Sequence, residues 1–156
     1  ALAAREGRGL DPWRPLGQDG LISEALAILG QFGIRDYADQ PVVALPEGGR
    51  KLLDIALAFA LRPRLLLMDE PTSGVSMRDK FGVMDTLMGV LQSAGVTTLF
   101  VEHDMEVIRR YAGRVLVLRQ GRIIADGPPE AVLADAAMDG TVSEMNRKER
   151  RDRKEI

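Results

Sequence analysis

Leu65-Leu66-Leu67-Met68-Asp69-Glu70 is the stretch that decides the fold. Four apolar residues without a break, ended by two carboxylates, have the pattern of a parallel strand covered on both faces. A strand of that kind delivers Asp69 and Glu70 to its C-terminal end, the rim at which ligands of open α/β sheets bind. Two carboxylates there can divide labour: the first can hold Mg²⁺ directly or through water, and the second can accept a proton from an attacking water. The plainer reading is that Asp69 caps a turn and Glu70 is solvated, and four apolar residues before Asp-Glu arise often by chance.

Downstream, Val96–Val101 (VTTLFV) repeats the pattern, rich in β-branched residues and followed by Glu102-His103-Asp104. Between the two, Arg78–Ala94 places Met84, Leu87, Met88 and Leu91 on one helical face, with Gly95 after the helix end. Strand, helix, strand predicts a right-handed βαβ unit. Asp104 can cap a helix from Met105 to Tyr111, and Val115–Leu118 reads as a third strand. Gln120-Gly121 turns that strand into Arg122–Asp126 as a hairpin. Pro128-Pro129 opens a short helix over Glu130–Ala134.

Upstream, Lys51–Leu61 (KLLDIALAFAL) predicts a mostly buried helix that stops before Pro63. Asp36–Pro46 is rich in turn residues. Leu21, Ile22, Ala25, Leu26, Leu29 and Phe32 recur at helical spacing, with Gly30 and Gly33 as stops. The predicted organisation is an irregular segment over 1–20, a helical subdomain over 21–62, an α/β core over 63–128, a helical segment over 129–145 and a charged tail over 146–156.

The chain has 156 residues, 46% hydrophobic and 28% charged, the composition of one globular domain. With no cysteine and one histidine, it has no cysteine zinc site, thiol nucleophile or disulfide, and any metal must be held by oxygens. Lys and Arg number 21 against 23 Asp and Glu, so the surface as a whole does not attract nucleic acid. The run from Asn146 to Ile156 holds six bases and three acids. Its charges are interleaved and it has no aromatic platform, so it reads as a solvated tail, and no nucleic-acid partner is expected. No apolar run approaches the roughly 20 residues that span a bilayer. The first ten residues lack the basic and apolar regions of a secretory signal, and read as a chain that begins within a longer protein.

Taken together, these strings resemble the ATP-binding-cassette (ABC) ATPases. LLLMDEPTSG resembles the family's Walker B strand and following loop, VEHDM its switch-histidine loop, and LPEGGRKLLDIALAFALRP its signature sequence and helix. The order and spacing run without interruption from about Leu21 to Leu133. EHDM, followed by GRIIADGPPEAVLAD, looks most like the ATPase subunits of branched-chain amino-acid importers.

The resemblance implies a P-loop NTPase-like α/β fold and a set of roles. Asp69 would be the Mg²⁺ aspartate, Glu70 the catalytic glutamate that polarises water, and His103 the histidine that contacts the γ-phosphate. Leu45, Gly48, Gly49, Ser73 and Gly74 fall in the segments that meet ATP. It also implies transmembrane permease subunits and a second ATPase subunit as partners, and a place on the cytoplasmic face of the cell membrane. Two other readings compete with a transporter ATPase. One is a non-catalytic partial cassette acting as an interaction module. The other is a repair or translation ATPase, whose relatives usually carry long insertions that are absent between Gly48 and His103.

This sequence departs from the family pattern in specific places. The signature Leu-Ser-Gly-Gly-Gln is here Leu45-Pro46-Glu47-Gly48-Gly49. Pro46 offers no hydroxyl and no N–H, and a Glu47 charge facing a phosphate would be repulsive. Ser76 stands where an inter-subunit aspartate is usual. The phosphate loop G-x-x-x-x-G-K-[ST] does not occur in the 156 residues, nor does the glutamine loop. The expectation is therefore a cassette without its N-terminal strands and phosphate loop, with little or no ATPase activity alone. A gap is expected between the strands at 96–101 and 115–118.

Overall fold

The computed structural model describes residues 20–138. The segment 1–19 and the tail 146–156, with the end of the helical segment 129–145, lie outside the described residues. The chain divides into two compact units at Val101/Glu102, so 21–62 and 63–101 share one unit.

In the first unit, α1 (Leu21–Gln31) ends where Gly33, at φ 68°, lets the chain reverse. Phe32 and Ile34 are buried just beyond it. Two short 3₁₀ turns, Arg35–Tyr37 and Val42–Ala44, lead to α2 (Glu47–Phe59). That helix begins four residues before the predicted Lys51, with its first bond from the Arg50 amide to the Pro46 carbonyl at 2.9 Å. Gly48 and Gly49 are poor helix formers, but packing against the neighbouring helix overrides propensity. Nor is α2 mostly buried: Leu52, Ile55 and Ala56 form its inner face, while Leu57 is exposed. Phe32 and Phe59 meet edge-on with ring centres 5.5 Å apart, and Arg62 reaches Glu24 at 3.1 Å, so α1 and the end of α2 are tied together.

β1 (Leu65–Asp69) and β2 (Thr97–Val101) pair in parallel, Leu67 opposite Leu99 and Asp69 opposite Val101. The connecting helix α3 (Lys80–Ser93) buries Val83, Met84, Leu87, Met88 and Leu91. It packs against β2, and Leu66 and Met68 are buried. The opposite face of the sheet is bare: Leu65, Leu67, Leu99 and Val101 are 53%, 65%, 53% and 64% exposed. The reading of a strand covered on both faces is thereby corrected. The unbroken apolar run suits a two-sided burial that the described part of this unit supplies on one side only.

In the second unit, α4 (Met105–Tyr111) is capped by Asp104, whose carboxylate accepts from the Glu106 and Val107 amides at 3.0 and 3.3 Å. β3 (Val115–Arg119) and β4 (Arg122–Gly127) form an antiparallel hairpin. Its turn residues Gln120 and Gly121 both have positive φ, 50° and 75°, as a type I′ turn requires. Helix α5 (Pro129–Met138) outruns the predicted Glu130–Ala134 and packs on the hairpin and α4. β1 with β2 and β3 with β4 form two separate two-stranded sheets. The single mostly parallel sheet expected to contain 65–69, 96–101 and 115–118 is thus not what the described residues form: β2 and β3 are not hydrogen-bonded to one another, which agrees with the gap expected between 96–101 and 115–118.

Candidate functional site

Asp69 ends β1, exposed, on the same face as Leu65 and Leu67. Glu70 follows, half-buried, with φ at 44°. The left-handed region costs an L-residue about 1–2 kcal/mol. Two hydrogen bonds hold it there: its amide donates to the Val101 carbonyl at 2.9 Å, and its carbonyl accepts from the Ser73 amide at 3.0 Å. Backbone strain held in this way is a feature of functional positions.

From Glu70 the chain runs through linked turns to α3. Pro71 is buried, the Val75 amide donates to the Thr72 carbonyl at 3.1 Å, and Gly74 has φ 78°. Ser76, in the place of the expected aspartate, builds the last turn. Its hydroxyl donates to the Asp79 carboxylate at 2.7 Å, and the Asp79 amide donates back to it at 3.2 Å.

The first turn of α2 lies against this loop. A Cβ on Gly48 would come within 2.7 Å of Val83 Cγ2 and 3.7 Å of Val75 Cγ1. One on Gly49 would sit 3.4 Å from Leu45 and Pro46, and Leu45 itself is buried. A Cβ on Gly74 would lie 2.8 Å from Glu47 Oε1. Of the expected site residues, Leu45, Gly48, Gly49, Ser73, Gly74, Asp69 and Glu70 thus belong to one unit, with the α2 turn in direct contact with the loop that follows the carboxylates. Glu47, exposed, lays its carboxylate end beside Gly74 of that loop. The first amides of a helix lack intrahelical acceptors and favour anions, so this glycine-bearing turn suits a phosphate.

His103 lies in the second unit, exposed, immediately before the Asp104 cap that fixes the backbone beside it. Among the described residues no three acidic or histidine side chains cluster to hold a metal.

Two features escaped the sequence reading. The Glu47–Gly74 contact has no periodic signature. Lys80, 3% exposed with its Nζ 5.0 Å from the Phe81 ring, does have one: it precedes Val83, Met84 and Leu87 on the buried stripe of α3.

A parallel strand ending in paired carboxylates, a turn-rich loop and a glycine-led helix against it are what the resemblance to ATP-binding cassettes implies for these segments. No protein-family model matches the chain. It is 40% identical over 116 residues to the cobalt import ATP-binding protein CbiO of Rhodobacter capsulatus, covering 74% of this chain and 40% of that protein. It is 36% identical over 122 residues to the methionine import ATP-binding protein MetN of Mesorhizobium japonicum, 78% of this chain and 33% of that one. Among solved structures it resembles CbiO1 of Clostridium perfringens, part of the ABC transporter complex CbiONQ. The TM-score is 0.70 with 27% identity, over 84% of this chain and 52% of that chain. An ATP-binding cassette of another ABC transporter gives 0.69 with 28% identity, over 86% and 52%.

In sequence and fold the chain is similar to ABC transporter ATP-binding subunits. The chain spans less than half the length of these curated relatives and about half of the solved cassettes. The cargoes in the relatives' names are cobalt and methionine, not branched-chain amino acids.

Proposed function

We propose that the chain is part of the ATP-hydrolysing subunit of an ABC importer for branched-chain amino acids or similar small solutes. It would work beside a second ATPase subunit on transmembrane permease subunits, at the cytoplasmic face of the cell membrane. The observation that carries this reading is Asp69-Glu70 at the end of β1, with Glu70 held at positive φ and the glycine-led turn of α2 packed on the loop that follows. Among the described residues no helix is long and apolar enough to cross a membrane, which is compatible with attachment through partners.

Mg²⁺ bound with ATP neutralises charge on the phosphates. Asp69 offers the exposed carboxylate for it. Glu70 accepts a proton from the attacking water and orients it; for His103, a hydrogen bond to a phosphoryl oxygen is what the resemblance of VEHDM to the switch-histidine loop implies. Such positioning makes up most of phosphoryl-transfer catalysis. Gly48 and Gly49 permit close backbone approach to phosphate, with Leu45 packed beside Gly49 and Ser73 and Gly74 on the adjoining loop. With no phosphate-loop motif in its 156 residues, this chain alone should turn over little or no ATP.

The decisive experiment reads the coding sequence upstream of Ala1 for an in-frame G-x-x-x-x-G-K-[ST] and assays Mg-ATP turnover of the longer product. Turnover abolished by Glu70→Gln, together with leucine uptake by cells carrying the permease, is expected. Turnover insensitive to Glu70→Gln would sink the catalytic assignment, and cobalt or methionine uptake in place of leucine would move the cargo. A non-catalytic module is favoured by one observation, the bare face of the β1/β2 sheet, and predicts no phosphate loop upstream.

A further inference from the structure

We infer that Glu47 is a positioning residue whose carboxylate, laid over Gly74, joins the first turn of α2 to the loop after Glu70 so that the two move as one piece. The distances grade along the side chain. From the position a Gly74 Cβ would take, Oε1 is 2.8 Å away, Cδ 3.4 Å and Cγ 3.9 Å, so Glu47 reaches the loop with its carboxylate end. Only the missing Cβ at Gly74 leaves room for it. The next residue along each segment repeats the contact: a Cβ on Gly48 would lie 3.7 Å from Val75 Cγ1 and 2.7 Å from Val83 Cγ2. Residues 47 and 48 therefore grip 74 and 75.

The grip matters because Pro46, at the N-cap, makes no side-chain capping bond, so the turn is placed by packing. An acidic residue in a first turn is also favoured by the helix dipole. Glu47 at a signature position is on this account a replacement contact rather than a defect. Its consequence for nucleotide rests on the proposed ATPase reading: the α2 amides and the Glu70 carboxylate would be set relative to one another by this contact.

Amide hydrogen exchange on the 156-residue chain tests it without nucleotide. The reporters are the Ser73 and Val75 amides, which donate to Glu70 and Thr72 carbonyls at 3.0 and 3.1 Å. Glu47→Ala is expected to speed exchange severalfold at these two and leave the amides of α3 unchanged, and Glu47→Gln, of the same reach, to restore them. Unchanged reporters in Glu47→Ala, a rise spread equally over α3, or no rescue by Gln would overturn the inference. Failure of the ATPase reading would instead appear in the Glu70→Gln assay and leave these rates untouched.

Discussion

The Glu70 amide donates to the Val101 carbonyl at 2.9 Å, one residue past the last pair of the β1/β2 ladder. The ladder is thus carried into a residue whose φ is 44°, and the strand ends by turning rather than fraying. Asn tolerates this left-handed backbone better than Glu. Glu70→Asn is therefore expected to be more stable than Glu70→Gln by up to about 1 kcal/mol, read from urea unfolding, both variants having lost the carboxylate. A stabilised Asn variant that has lost the carboxylate would show that this position holds strain for its chemistry. An Asn variant no more stable than Gln would show that the turn costs nothing.

The parts legible in the sequence were those written locally. The apolar runs at 65–68 and 96–101, the buried stripe of α3, the Asp104 cap and the Gln120-Gly121 turn each depend on residues a few positions apart. The position of Asp69 and Glu70 at a strand end followed from the same reading. What escaped depends on contacts between distant segments. Helix α2 starts at Glu47 because Gly48 fits under Val83, and no local preference would start a helix on two glycines. An unbroken apolar run likewise says that a strand suits burial, without saying what covers each face.

Gly48 gives the second prediction. Its φ is not left-handed, so close approach alone selects glycine there. Gly48→Ala puts a methyl 2.7 Å from Val83 Cγ2 and should cost about 1–3 kcal/mol by overpacking. Adding Val83→Ala removes the clashing methyl, so the double variant should lose less than the two single losses added. Strict additivity in urea unfolding would show that the helices move apart to accept the alanine.

The bare sheet face predicts association. Leu67 and Leu99 are opposite one another in register and both more than half exposed, with Leu65 and Val101 beside them. Contiguous apolar surface of this kind is normally covered by a partner. The isolated chain is expected to bind a hydrophobic dye and to scatter light as more than a monomer. Leu67→Lys with Leu99→Thr should lower both signals without unfolding the chain. A monomeric wild type with no dye binding would contradict the exposure of this face.

The hairpin carries a pH-dependent staple. Arg114 Nε and a terminal guanidinium nitrogen donate to the two Asp126 oxygens at 2.7 and 2.6 Å, joining the start of β3 to the end of β4. The hydrogen bond from Arg114 holds the Asp126 carboxyl below its ordinary range; desolvation opposes it, and the guanidinium charge acts in the same direction as the bond. A folded value below the unfolded one means that unfolding takes up protons in acid. The staple's contribution is therefore complete above the ordinary carboxylate range, about pH 4, and is lost as pH falls through the lowered folded value. The pair is exposed, so its contribution is small and screened by salt. Asp126→Asn should leave the α4 amides unchanged at pH 7 and speed exchange at the β3 and β4 amides nearest Arg114. It should also flatten the acid-side decline of hairpin protection seen in the wild type. If both proteins lose that protection along the same pH curve, the titrating group lies elsewhere in the unit and Asp126 is only a passive partner of Arg114.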